Sequence, residues 1–344
     1  MKVTVLTGGA ADERDVALAT GVQVAAALRT ARHRVSTFDT ARGPLSLDEE
    51  EALRGKGVEP CPPAERPRDR VVAEGVAALD IPELRGTDVF FLALHGGAGE
   101  DGTIQRILDD ADFSYTGSDP DGCRVAMDKH ASKTILRKTG VATPDWLVDV
   151  FEADAVERRL GLPVIVKAAH GGSSLRLELA HDREELEGAL RRAASFDDVV
   201  LVEQYVPGRE FTVAILGDEA LPVGEIIPRA EIFDYESKYQ PGGAREVFPA
   251  HVDGALAAQM QALALRVHES LGLRDYSRVD FMGDREGKLW CLEANNLPGL
   301  TAASLVPRAA AAAGMTFPEL CDRLVRIAAG RGAQGSEPAP EVGV

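Results

Sequence analysis

The sequence predicts a mixed α/β protein of two or three domains that opens on a doubly wound sheet. Residues 3–6 are a short apolar run, Gly8-Gly9 follows, and apolar residues recur at helical spacing over residues 16–29. Strand, glycine turn and helix in that order begin a doubly wound domain, whose ligands gather at the C-terminal ends of its strands. Far along the chain, residues 278–282 and 288–294 alternate or run apolar on either side of Gly283-Asp284-Arg285-Glu286-Gly287, a hairpin pattern. The length of 344 residues, 45% of them apolar, exceeds what one hydrophobic core ordinarily organises.

Charge and composition exclude several classes. A net charge of −17 argues against a nucleic-acid or anionic-membrane partner, both of which need basic patches. No apolar run approaches the roughly 18 residues of a membrane span. Residues 1–6 meet the glycine pair after too few apolar residues for a signal peptide. Cys61, Cys123, Cys291 and Cys321 are scattered without metal-ligand spacing and read as reduced thiols, which points to the cytoplasm.

Between the two ends the elements follow in order. Residues 43–80, rich in Pro, Glu and Arg, read as a helix and a loop over 60–67. Residues 88–94 form a buried strand, His95-Gly96-Gly97-Ala98-Gly99-Glu100-Asp101-Gly102 turns away from it, and a helix covers 103–111. A strand over 162–167 ends in Lys167, and His170-Gly171-Gly172-Ser173-Ser174 then forms a loop able to present N–H and hydroxyl groups to phosphates. Residues 199–204 are a strand carrying Glu203, with Glu210 beyond it. Residues 233–243 hold three aromatics without helical or strand period, residues 256–271 form an amphipathic helix stopped by Gly272, and residues 331–344 read as a disordered tail.

The hairpin is where chemistry concentrates. Its pairing brings Asp280 near Glu293 and Asn295, and side chains two apart share a face. Two carboxylates and an amide oxygen suit Mg²⁺, which keeps phosphate and water ligands. By spacing alone the same residues also fit the solvated face of an exposed hairpin. After the turn Asn295-Asn296-Leu297-Pro298-Gly299, a helix begins near residues 301–304, and its unpaired N–H groups favour an anion. Taken singly, Glu13, His95, Lys129, Glu203 and Glu210 read as ordinary helix-start, strand-end or surface residues.

Taken together they resemble a family. Asp280, Leu-Glu293-Ala-Asn295, Pro-Gly-Leu-Thr and Ser304-Leu-Val-Pro, with Glu13, the 95–102 loop, Tyr115-Thr116-Gly117-Ser118, Met127-Asp128-Lys129 and the Lys238-Tyr239 loop, occur in the order found in D-alanine–D-alanine ligases, which are ATP-grasp enzymes. The resemblance spans residues 1 to about 328. It implies an α/β ATP-grasp architecture: an N-terminal doubly wound domain over 1–122, a central domain over 123–207, a catalytic domain over 208–330 and the tail. It implies an ATP-dependent ligase that makes a D-dipeptide through an acyl phosphate, for cell-wall precursors, in a cytoplasmic homodimer.

The roles implied by the resemblance are specific. Lys129, Lys167, Ser173, Glu203 and Glu210 would bind ATP. Asp280, Glu293 and Asn295 would hold two Mg²⁺ ions, with Mn²⁺ as a substitute. Glu13 would take the first amino acid's amine, His95 would face that substrate, and Ser173 and Tyr239 would orient it and tie the lid that also carries Lys238. Arg278 and the N–H of Gly299 would stabilise the oxyanion, and Ser304 and Leu305 would receive the second substrate's carboxylate. Several positions depart from the family pattern: Ala17 replaces a serine, Ala168, Gly171 and Arg176 alter the phosphate loop, and Asn296, Leu300 and Ala303 alter the stretch expected near the second substrate. Two rival readings follow, a sibling ligase joining other amino acids and a non-catalytic ATP-binding protein on a ligase scaffold.

Overall fold

A computed structural model describes residues 1–56, 67–171, 177–195, 199–229 and 243–334. The N-terminal sheet contains β1 (Lys2–Thr7), β2 (Arg34–Asp39), β3 (Gly43–Leu45) and β4 (Val89–Leu92) in the order β3-β2-β1-β4. The strands β2, β1 and β4 run parallel. The chain leaves β1 to one side for β2 and later returns on the other side as β4, so a switch point lies between β1 and β4. Helix α1 (Arg14–Thr30) packs close over β1 because Gly21 has no side chain; a Cβ there would lie 2.4 Å from Thr7 Oγ1. That hydroxyl donates to Ala17 O at 2.6 Å. In place of the one helix expected within 43–80 stand β3, α2 (Leu47–Arg54), α3 (Arg70–Glu74) and a 3₁₀ turn, the loop expected over 60–67 lies outside the described residues except at Pro67, and α4 (Thr103–Asp110) follows the glycine loop as expected.

The middle of the chain contributes α5 (Pro120–Met127), α6 (Lys129–Lys138), β5 (Trp146–Val148), α7 (Ala153–Leu160), β6 (Val164–Ala168), β7 (Leu177–Ala180), α8 (Arg183–Ala193) and β8 (Val200–Gln204). Its strands form an antiparallel sheet in the order β5-β8-β6-β7. One face packs on α7 and α8 through Val156, Leu186, Ala189 and Leu190.

The last sheet holds β9 (Gly208–Leu216), β10 (Glu219–Ala220), β11 (Gly224–Pro228), β12 (Ala244–Val247), β13 (Tyr276–Asp284) and β14 (Leu289–Asn295), in the antiparallel order β12-β11-β9-β13-β14 with β10 beside β9. Helix α9 (Gly254–Ser270) covers it with Met260, Ala264 and Val267, residues at helical spacing that are fully buried on Val213, Ile215 and Phe281. The final helices, α10 (Leu305–Ala312) and α11 (Phe317–Gln334), turn back to the first sheet. Val306, Ala310, Leu320, Leu324 and Val325 share one core with Leu6, Leu28 and Phe90. Helix α11 runs to Gln334, so the disordered tail expected from residue 331 does not begin there. Arg331 is tied down by Asp275 and donates to Tyr115 O at 2.7 Å. The ends of the chain therefore brace the same body, which fixes the first sheet against the hairpin.

Candidate active site

The hairpin β13–β14 presents its acidic residues as their alternation requires. Asp280 pairs in register with Glu293, and Arg278 with Asn295. The register then slips, so that Phe281 pairs with Cys291 and Leu292 is left as the extra residue of a bulge. Strict alternation would point Leu292 and Glu293 to opposite faces; with the bulge, both line one cleft. Asp280 is 6% exposed, and its carboxylate accepts from three side chains. Arg278 grips it with Nε at 3.0 Å and Nη2 at 2.8 Å, Thr212 Oγ1 donates at 2.7 Å, and Asn295 Nδ2 donates at 3.2 Å.

That cleft, about 270 Å³, separates the central sheet from the last one. Lys129, Lys167, Glu203, Glu210, Asp280 and Glu293 carry charge into it, with Arg209 and Glu225 paired to each other at 2.7 Å on the same wall, while Ile165, Ile226, Met282 and Leu292 supply apolar surface. Lys129 opens α6, where Asp128 caps the helix, and its Nζ donates to Gly171 O at 2.6 Å. In the β6–β8 ladder Ile165 pairs with Glu203 and Lys167 with Leu201. Lys167 and Glu203 are thus diagonal neighbours on one face, and Lys167 Nζ donates to Glu203 Oε1 at 2.9 Å. The other carboxylate oxygen accepts from Lys133, one turn beyond Lys129 on α6. Burial by itself would push the Glu203 carboxyl up, but the two ammonium groups outweigh it and hold the group below the usual carboxylate range. The same burial draws Lys133 down against the pull of Glu203.

A second group of residues lies around the switch point of the first sheet. Glu13 stands immediately before α1, is 6% exposed, and packs onto the loop after β4: a Cβ on Gly96 would lie 2.0 Å from its Oε2. Gly96 itself has φ +67°, so both space and backbone demand glycine. His95 is buried, with Nε2 3.1 Å from Thr20 Oγ1 and Nδ1 3.8 Å from Glu100. Arg14 holds the Gly8-Gly9 turn by donating to Gly9 O and pairing with buried Asp39.

Two bonds join the first sheet's body to the segment after the hairpin: Asn296 Nδ2 donates to Glu100 O at 2.9 Å, and Ala302 N to Gln23 Oε1 at 2.9 Å. A third, from Gly117 N to Asp275 Oδ2 at 2.8 Å, reaches the residue just before β13. Gly299 sits against Ser304, whose Oγ a Cβ at 299 would approach to 3.0 Å. Ser304 precedes α10, and its Oγ accepts from Thr301 N at 3.1 Å. Leu305 is the first residue of the helix, where N–H groups fall outside the helical ladder.

Comparisons with known proteins agree on one family. A family model of the D-ala D-ala ligase N-terminus matches residues 2–118, and one of the D-ala D-ala ligase C-terminus matches residues 135–326. A D-alanine–D-alanine ligase of Nitratidesulfovibrio vulgaris is 40% identical over 96% of this chain and 100% of its own. The chain belongs to the D-alanine–D-alanine ligase family. Its ATP-grasp fold is shared with the D-alanine–D-alanine ligase of Bacillus anthracis, solved with ATP, at TM-score 0.76 and 27% identity over 98% of this chain and 100% of that one. It is also shared with a D-Ala:D-Ser ligase of Enterococcus faecalis, at TM-score 0.79 and 27% identity over 95% and 98%. Members of the family are ATP-dependent ligases that form a carbon–nitrogen bond.

For this ligase-family chain, the structure gathers Lys129, Lys167, Glu203, Glu210, Asp280 and Glu293 in one cleft and joins Arg278 and Asn295 to it through Asp280. Glu13 and His95 lie apart from that group, beside Gly96. Ser173, Lys238 and Tyr239, together with Arg176 and Cys61, fall outside the described residues. Among the described residues no cluster of three or more His, Cys, Asp or Glu could hold a metal ion. The facing pair Asp280–Glu293 nevertheless fits Mg²⁺, which one or two carboxylates hold while water and substrate phosphates fill its other positions.

Of the three departures in the stretch expected near the second substrate, Asn296 is 2% exposed and Leu300 is 1% exposed, the latter packed in the large core, while Ala303 faces outward. Lys133 went unread in the sequence although Lys129 and Lys133 are four apart on one helix; only the fold reveals that Glu203 meets it. The thiols of Cys123, Cys291 and Cys321 are buried and pushed up by that burial, which keeps them protonated.

Proposed function

We propose that this protein is an ATP-dependent D-alanine–D-alanine ligase whose nucleotide occupies the cleft between the central and last sheets. The observation that carries the placement is the convergence of Lys129, Lys167, Glu203, Glu210 and the facing pair Asp280–Glu293 on one cleft. Lys129 and Lys167 neutralise phosphate charge, and Glu203 and Glu210 take the base and ribose side. Mg²⁺, in two ions and replaceable by Mn²⁺, supplies charge neutralisation at the transferred phosphoryl group when bound, and Asp280, Glu293 and Asn295 hold it.

On the amino-acid side, Glu13 receives the first substrate's ammonium and His95 borders its pocket. That substrate's carboxylate attacks the γ-phosphorus and ADP leaves. The amine of the second amino acid, unprotonated, then attacks the acyl carbon and phosphate departs. Arg278 and the N–H of Gly299 meet the oxyanion that forms between these events, as preorganised donors do. Ser304 and Leu305, at the start of α10, accept the second substrate's carboxylate. Ser173, Lys238 and Tyr239 enter by family resemblance as the parts that close over the site. Positioning and electrostatics supply the rate, with no side-chain nucleophile. We assign the product to cell-wall precursor synthesis in the cytoplasm and the working form to a homodimer, both by resemblance.

The test is incubation with ATP and D-alanine, read by phosphate release and product mass. One phosphate per D-alanyl-D-alanine is expected; ATP binding without amino-acid-dependent phosphate release would leave a binding protein. A second reading rests on Ala303, which is exposed beside Ser304 where the family often has histidine. Extra room there broadens the choice of the second amino acid, so a screen of amino-acid pairs should find position one strict and position two permissive.

A further inference from the structure

We infer that Lys133 is a positioning residue for the nucleotide: it takes up the charge of Glu203 so that Lys167 keeps its own for the triphosphate. The inference rests on the placement of ATP in the cleft and extends it to a residue that does not line that cleft. Three observations carry it. Lys133 is 1% exposed, and its ammonium is enclosed on every identified side: it donates to Thr143 Oγ1 at 2.6 Å and to Glu203 Oε2, and it lies 5.0 Å from the Trp146 ring centroid. Glu203 is 3% exposed and shared between two lysines, one oxygen each. Lys167, in contrast, is the member of the trio that lines the cleft together with Glu203.

Burying an ammonium is costly, and a neutral donor at 133 would satisfy the same oxygen and hydroxyl. What only a cation adds is charge. Two lysines and one glutamate leave the trio with a net charge of +1. Without Lys133 the trio is neutral, and Lys167 is spent on both oxygens of Glu203 instead of presenting a surplus positive charge to phosphate. At the short separations involved, one unit of charge in a partly buried site changes affinity for a polyanion on the order of tenfold or more. The effect falls on the phosphates and not on the nucleoside, which separates this role from simple support of the pocket.

The experiment titrates ATP and adenosine, without amino acids, into the wild type and the variants Lys133→Met, Glu203→Gln and the double variant, by calorimetry at fixed ionic strength. The readout is the ratio of ATP to adenosine affinity. Lys133→Met should lower that ratio on the order of tenfold or more, and the double variant, again +1, should recover it. An unchanged ratio in Lys133→Met, or a double variant as poor as the single, would overturn the inference. If Lys133→Met does not fold, the same comparison stands between Glu203→Gln and the double variant: loss of Lys133 must again lower the ratio, and equal ratios overturn it. Failure of the wild type to bind ATP would instead overturn the placement of the nucleotide on which the inference rests.

Discussion

The nucleotide cleft and the amino-acid side are built by different means. The cleft is assembled from long charged side chains that reach in from α6, β6, β8, β9, β13 and β14, and ion pairs hold them: Lys133 and Lys167 on Glu203, Arg278 on Asp280. The amino-acid side is assembled from backbone. Gly8 at φ +74°, Gly96 at φ +67° and Gly102 at φ +95° shape its loops, Asn296 pins one of them through Glu100 O, and Gln23 holds the segment after the hairpin through Ala302 N. A charged wall tolerates small displacements because Coulomb attraction falls slowly with distance, whereas a glycine loop fails when one Cβ is added. The two halves should therefore break differently.

The largest effect belongs to the cleft. Glu293→Gln removes one of the two facing carboxylates and should lower kcat by about a hundredfold to a thousandfold, the scale of lost charge stabilisation at a transferred phosphoryl group, while thermal melting stays near that of the wild type. Steady-state phosphate release at ordinary Mg²⁺ checks it, and wild-type turnover would remove Glu293 from the metal site.

Acid probes the body beneath the cleft. His268 is buried on Ser277 at 2.7 Å, and burial pulls its imidazole down to about 4 from 6.5. The unfolded chain therefore binds a proton that the folded chain refuses. Stability from this group is complete above pH 6.5 and is lost as pH falls toward 4, by about 3 kcal/mol in all. Urea unfolding across that window should show a steeper decline in the wild type than in His268→Gln; parallel curves for the two proteins would refute the assignment.

The amino-acid side breaks through its backbone. Gly96→Ala places a Cβ against the Glu13 carboxylate at a left-handed backbone position, a strain of about 1–3 kcal/mol. The KM for the first D-alanine should rise on the order of tenfold while the KM for ATP holds, and equal rises in both would show that the halves are not separable. The smallest effect belongs to Ala303→His. Filling the space beside Ser304 should narrow the second position by about 1 kcal/mol of discrimination between D-alanine and D-2-aminobutyrate and leave the first unchanged. Ratios of kcat/KM for the two amino acids at each position decide it.

The same contrast explains what the sequence revealed. The glycine loop of residues 95–102 was legible because its conformation is set locally, by residues that adopt positive φ without steric cost. The facing of Asp280 and Glu293 was legible because a hairpin pairs neighbours in sequence. The bulge at Leu292 was not, since it depends on how β13 is held by β9 on its other edge. Lys133 was hidden because its partner lies 70 residues away on β8 and its neighbours on α6 give no sign of burial. The burial of Asn296 and Leu300 was hidden too, because it depends on contacts with distant residues, Glu100 O for Asn296 and the large core for Leu300. The joining of α10 and α11 to the first sheet's core likewise depends on contacts between the two ends of the chain, to which local pattern is blind.

The claim on which the rest depends is the location of the nucleotide. A crystal structure with a non-hydrolysable ATP analogue and Mg²⁺ tests it most directly. The expected density places the base and ribose beside Glu203 and Glu210 and the phosphates among Lys129, Lys167 and the Asp280–Glu293 pair. An analogue bound at the switch point beside Glu13 and His95, with the cleft empty, would contradict it.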